Sequence, residues 1–163
     1  MGLKTEVDQI LNQSLHTAYR PPALYTLAPH NIFVLSGGPA WVKGFIMYAD
    51  ATNTAGTDWQ LSICGVIAEN GGAAVMTLLV GEMAVWPLHG AAAADVAVPN
   101  VSNTPYPPLA SELLGMSGGI MISPGAAAGN FFVMTVGTAL PDGAHSFFVY
   151  YYKMRPETLI SPA

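Results

Sequence analysis

Along most of this chain the apolar residues come in short runs separated by glycine, proline or clusters of small polar residues. The clearest case is Asn31 to Tyr48. Asn31 to Leu35 is rich in β-branched and aromatic residues, and Trp41 to Tyr48 resumes the same composition after Ser36-Gly37-Gly38-Pro39. Glycine tolerates positive φ and proline fixes φ near −65°, so these four residues predict a compact reversal and a β-hairpin whose strands return against each other. Trp59 to Val66 alternates, with Trp59, Leu61 and Ile63 on one face and Gln60, Ser62 and Cys64 on the other; strict alternation is the pattern of a half-buried strand.

The same reading predicts a short strand over Ala23 to Leu27, a polar loop over Asp50 to Thr57 and a turn at Glu69-Asn70-Gly71-Gly72. Apolar runs at Ala74 to Val80 and Met83 to Trp86 are separated by Gly81. Residues 90–111 form an Ala/Pro-rich connection with Pro99, Pro105, Pro107 and Pro108, too rich in proline for a central strand. Gly119 to Ser123, Asn130 to Gly137 and His145 to Met154 close the chain. Turn signals at this density predict a mainly β fold, an antiparallel β-sandwich or jelly roll of about seven or eight strands.

Only residues 3–18 change period. Val7, Ile10, Leu11, Leu15 and Ala18 recur at spacings of three and four, and Thr5 with Asp8 resembles a capping box. This predicts an N-terminal amphipathic helix, ended at Arg20-Pro21-Pro22 because a residue before proline is driven from the α region. The expected organisation is a helical arm over 1–20 and a single β domain over 21–163. The arm has two uses: packing on its own domain, or docking Val7, Ile10, Leu11 and Leu15 on a neighbouring subunit. The closing strand, Ser146 to Arg155, is aromatic on both faces. Such a strand is central or lies at a subunit contact, and Tyr150 and Tyr152 are its candidate interface residues.

Composition sharpens this picture. Of 163 residues, 9% are charged and 52% hydrophobic, against about 25% charged in ordinary soluble domains. The excess of apolar surface points to a membrane protein or to a subunit covered by partners. The longest uncharged run, Leu113 to Pro141, holds six glycines and Pro124 and is broken by Ser, Asn and Thr, which does not fit a spanning helix. Glu6, Asp8 and Gln9 stand where a signal peptide has its apolar region. The expectation is therefore a subunit whose contacts hide apolar area. Between Lys43 and Lys153 every charged residue is an acid, so neither nucleic acid nor an anionic membrane is an expected partner. The lone Cys64, in an apolar setting, reads as a small buried hydrophobe.

Candidate chemistry is sparse. Gly115-Met116-Ser117-Gly118-Gly119 matches the G-x-S-x-G nucleophile elbow, and Asp142 and His145 follow in hydrolase order. The elbow needs a strand before it and a helix after it, and neither flank supplies one. His16, His30, His89 and His145 are scattered, without metal-ligand spacing. Asp50, Asn53 and Asp58 offer a loose calcium site without the closing Glu of an EF-hand. No glycine-rich loop opens a helix, so no nucleotide cofactor is expected. A stacking platform for carbohydrate would draw on Trp41, Trp59, Trp86, Tyr106 and the last tyrosines, with Trp59 beside Asp58 and Gln60 its best-formed part. The expectation is no catalytic residue, no metal and no cofactor.

Phe33, Gly37, Gly38 and Pro39 near the start, with Gly143, Phe147, Tyr151 or Tyr152, and Pro156 at the close, give a pattern that resembles a group of small tailed-bacteriophage structural proteins. The likeness spans residues 30–156, and departs from the group in the acid-only middle and the N-terminal helix. The resemblance implies a β-sandwich component of the virion, foremost a capsid decoration or cement protein. It implies the major capsid protein and copies of itself, as a homotrimer, for partners, and assembly in the bacterial host cytoplasm. The alternative it leaves is a tail- or fibre-associated or receptor-binding module.

Overall fold

A computed structural model of the chain describes residues 14–68, 76–87, 100–102, 120–125 and 129–163. They are mainly β, with no helix among them, and every strand pairing is antiparallel. The strands are β1 (His16–Ala23), β2 (Pro29–Ser36), β3 (Ala40–Ala49), β4 (Asn53–Ile63), β5 (Val66–Ala68), β6 (Met76–Leu78), β7 (Met83–Pro87), β8 (Asn100–Ser102), β9 (Ile120–Ile122), β10 (Phe131–Gly137), β11 (His145–Lys153) and β12 (Leu159–Pro162). A first sheet has the order β1-β11-β3-β7-β8, with β9 also on β3. A second has the order β12-β2-β10-β4-β5, with β6 also on β4.

One hydrophobic cluster draws on both sheets. Phe45 of β3 lies 6.1 Å from Phe33 of β2 and 6.5 Å from Phe132 of β10, both in the other sheet, and 5.7 Å from Trp86 of β7 in its own. Edge and offset ring contacts at such distances add to simple area burial. The pairing of β3 with β11 slips between Tyr150 and Tyr151, leaving Lys43 as an extra residue. This bulge resets the alternation, so that both Val42 and Phe45 reach the core.

The stretch from Asn31 to Tyr48 is not a hairpin. β2 and β3 belong to different sheets, and Ser36-Gly37-Gly38-Pro39 is a corner between them. Each strand has better partners than the other: β2 pairs with β10 and β12, β3 with β11, β7 and β9. The corner is held from outside, because Pro39 O accepts bonds from Met154 N (3.1 Å) and Thr158 Oγ1 (2.9 Å).

The expected helix over 3–18 is also corrected where it can be seen. Residues 3–13 lie outside the described residues, but His16–Ala18 already pair with β11. β1 runs on through Pro21 and Pro22, where its register shifts between Arg20 and Ala23. An edge strand tolerates prolines because one row of its N–H groups needs no partner. The boundary at residue 20 therefore falls inside a strand. The strand expected over Ala23 to Leu27 is not formed: Ala23 ends β1, and residues 24–28 are the connection to β2, with Leu24 and Leu27 exposed and Tyr25 buried. The polar run at Asp50 to Thr57 contains the bulged start of β4, where Asn53 and Thr57 are fully buried. β12, which the sequence pattern did not reveal, borders β2.

Gly37 is held at φ +76°, and a Cβ there would lie 1.9 Å from Glu157 O. Gly129 has a similar φ of +73° with nothing within 4 Å. Gly129→Ala should cost about 1 kcal/mol for the left-handed backbone alone, and Gly37→Ala about 3 kcal/mol or more, because the corner must also move. Urea midpoints of the two variants check this; equal losses would show that the contact with Glu157 is unimportant.

Candidate interaction surface

The outer face of the first sheet is built by alternation. Along β11, Phe147, Val149 and Tyr151 enter the core, while Phe148 and Tyr150 join a second apolar cluster around Ile46 and Met83, with Tyr48. Tyr19 of β1 packs on Phe148 at 4.8 Å, and Trp41 of β3 on Tyr152 at 5.9 Å. The Lys43 ammonium stands 4.4 Å from the centre of the Trp41 ring, a cation–π arrangement. Tyr19 and Met121 are exposed. β11 thus lies inside its sheet, between β1 and β3, and still carries a second aromatic face. Tyrosines suit a contact surface, since each adds rigid apolar area while the hydroxyl keeps a polar partner.

Of the residues expected at an interface, Tyr150 and Tyr152 sit half-buried on this face, and burial raises the Tyr150 pKa above its ordinary value. Leu15 is half-buried just before β1. Val7, Ile10 and Leu11 lie outside the described residues. Tyr151 is a core residue whose hydroxyl accepts the Ile160 N–H at 3.2 Å, a bond from β11 to β12 in the other sheet.

Asp142 and His145 take structural places. Asp142 ties the β10–β11 connection to β4: its carboxylate accepts Thr54 N (2.8 Å) and Thr54 Oγ1 (2.5 Å), and its own N–H donates to Asn53 Oδ1 (3.0 Å). The Thr54 hydroxyl bond is the main reason its pKa is lowered. Residues 53 and 142 are too far apart in sequence for any local signal to announce this clamp. His145 is fully buried against Trp59 at 4.8 Å, and neither ring nitrogen has a hydrogen-bond partner. Burial pushes its pKa down to about 4; the nearby Gly143 backbone and Asp142 carboxylate oppose this without prevailing. Ser117 lies outside the described residues.

The remaining candidates are dispersed. Asn53 Nδ2 donates to Ala55 O and Thr57 Oγ1, and its Oδ1, the atom a calcium ion would need, accepts Asp142 N. Among the described residues no three His, Cys, Asp or Glu side chains gather as metal ligands. Trp59 and Trp86 are buried in the core, so neither can serve a carbohydrate platform; Trp41 is the tryptophan at the outer face. Cys64 is buried at φ +48°, and desolvation raises its thiol pKa. No family model, curated protein or solved structure matches the chain.

The two titrating groups predict acid sensitivity. With its folded pKa below the unfolded 6.5, His145 leaves the native state with fewer protons than the unfolded chain between pH 6.5 and about 4. Stability is therefore complete above pH 6.5 and falls on acidification through this window, by on the order of 3 kcal/mol. Asp142 acts in the same direction at lower pH, its contribution being lost as pH falls through its lowered pKa. His145→Leu should flatten the slope between pH 6.5 and 4 in urea melts; an unchanged slope would rule out His145 as its origin.

Proposed function

We propose that the two sheets face each other as a jelly-roll sandwich and that the protein is a non-enzymatic structural subunit of a tailed-phage virion, which binds and stabilises the major capsid shell. The pairing order supports the fold reading. β1 pairs with β11, β2 with β10, β3 with β7 and β4 with β5 and β6, as when one long hairpin is wrapped so that alternate strands fall in alternate sheets.

The observation that carries the functional reading is the doubly aromatic β11, Tyr152 included, with its neighbours Tyr19, Trp41 and Tyr48. An outer sheet face of this composition is suited to bury itself against a partner, and the low overall charge removes the barrier to doing so. Such a subunit works by mass action. Many copies that bind only the assembled shell shift its equilibrium against disassembly. The partners in this reading are the major capsid protein and further copies of the chain, as a trimer, on the virion surface.

Co-sedimentation with phage heads lacking the protein tests the reading. Saturable binding and better survival of the heads on heating are expected, and replacing Tyr150 and Tyr152 together by Ala should weaken binding at least about tenfold. Removing residues 1–13, which leaves β1 intact, separates the role of the arm from that of the sheet. A folded protein that fails to bind heads would overturn the capsid assignment and turn attention to tail and fibre.

A further inference from the structure

The charges of the described residues are sorted along the strand direction. At the end where β3 finishes and β11 begins stand Asp50, Asp58, Glu82 and Asp142, with no Lys or Arg among the described residues there. At the opposite end, Lys43 lies near the start of β3, Lys153 closes β11 and Arg155 follows it, with Glu157 the single acid there among the described residues. Arg20 is the exception: on β1 it pairs with Phe147, the third residue of β11, and its side chain donates to Ile32 O of the other sheet, in the middle of β2.

The same acidic end carries a set of exposed aliphatics on separate connections. Leu24 is 70% exposed, Leu27 54%, Leu79 58%, Val80 62% and Leu140 56%. These connections are bonded together. Asp50 N donates to Ala144 O (3.0 Å), Val80 N to Thr52 Oγ1 (3.2 Å) and Val136 N to Ala28 O (3.2 Å). The leucines therefore stand on a shared frame. One exposed leucine is ordinary, but several on connections bonded to one another leave apolar surface available to a partner. Two of the acids are fixed by donors of their own frame: Glu82 accepts Leu79 N at 2.8 Å and Asp142 accepts Thr54 N. The opposite end is also part apolar, with Met121 58% and Leu159 47% exposed, and the Arg155 side chain is 65% exposed, only loosely paired with Glu157 at 3.9 Å.

We propose that copies of this chain associate head to tail, the acidic, leucine-bearing end of one docking on the Lys153–Arg155 end of the next. The occupant is a second copy because that copy presents the complementary combination, exposed apolar side chains beside positive charge. An anionic membrane, the other common target of exposed loop leucines, is repelled by the acids. A contact between two different surfaces is heterologous, so it propagates, closing into a ring or continuing as a filament according to its rotation. The inference concerns contacts between copies and stands independently of what the aromatic sheet face binds.

Sedimentation of the full chain across concentration, at low and high salt, tests it. The protein should associate, and less so at high salt because the attraction is partly screened. Leu79→Ser with Leu140→Ser blocks one end; Lys153→Glu with Arg155→Glu blocks the other. All four positions are at least partly exposed, so thermal melting should be nearly unchanged, and Leu24→Ser with Leu27→Ser offers a second block of the leucine end. Each variant alone should associate at least about tenfold more weakly. Mixed in equal amounts, the two should form a dimer and stop there, since only one intact end of each remains. A wild-type protein that stays monomeric, variants that associate as well as wild type, or a mixture that does not recover the dimer would each overturn the proposal. Capsid binding enters none of these readouts.

Discussion

Phe45 stands where the two sheets meet, and the rest of the described structure is arranged so that it can. It touches rings of both sheets. Burying one such side chain contributes about 1.5–3 kcal/mol, and here several rings share the gain. The constraint is one of phase. Successive side chains alternate faces, so a slip of one residue would turn Phe45 outward and Ile46 inward. The extra residue at Lys43 reconciles two demands, Val42 and Phe45 both entering the core although they are an odd number of positions apart. The corner at Gly37 then lets the chain leave one sheet and enter the other directly before β3, at a spot where Glu157 leaves no room for a side chain.

The core is not uniform. Near the connections between β3 and β4 and between β10 and β11 it takes in Tyr25, Trp59 and His145, whose polar atoms are buried without hydrogen-bond partners. Unpaired buried polar groups weaken a structure locally. The Asp142 clamp lies on the outside of the same region and holds it with bonds to Thr54. The opposite end relies instead on backbone and hydroxyl bonds around Pro39, which do not titrate in the ordinary range. Acid and neutral conditions therefore act unequally on the two ends of the molecule.

What distinguishes this surface is arrangement rather than reactive groups. Its aromatic rings are spread over one sheet face, and its charges are separated toward the two strand ends. Both are what the proposed association draws on. A face of tyrosines gives area and polar anchoring, and separated charges give direction to the approach of a partner. In a chain so poor in charge, a few residues decide this polarity, and Lys153 and Arg155 count for more than they would on an ordinary soluble domain.

Composition and period determined the class of the chain. Alternation at Trp59, Leu61 and Ile63 and the glycine and proline punctuation specify strands, because a side chain's face depends only on its neighbours' spacing. The two-sided aromatic pattern of β11 marked a strand inside its sheet for the same reason, and β11 does lie between β1 and β3, with one face in the core and the other half-buried. Which strands pair was decided by tertiary packing. The Gly-Gly-Pro reversal is locally compatible with a hairpin or with a corner, and only the partners β10, β11 and β12, distant in sequence, select the corner. His16–Ala18 fall within the stretch of helical spacing, yet pairing with the β11 backbone and the burial of Ala18 in the core make them a strand. The Asn53–Asp142 clamp, the burial of His145 and Trp59, and the sorting of charge between strand ends share this origin. Each depends on residues brought together by the fold, which local pattern does not encode.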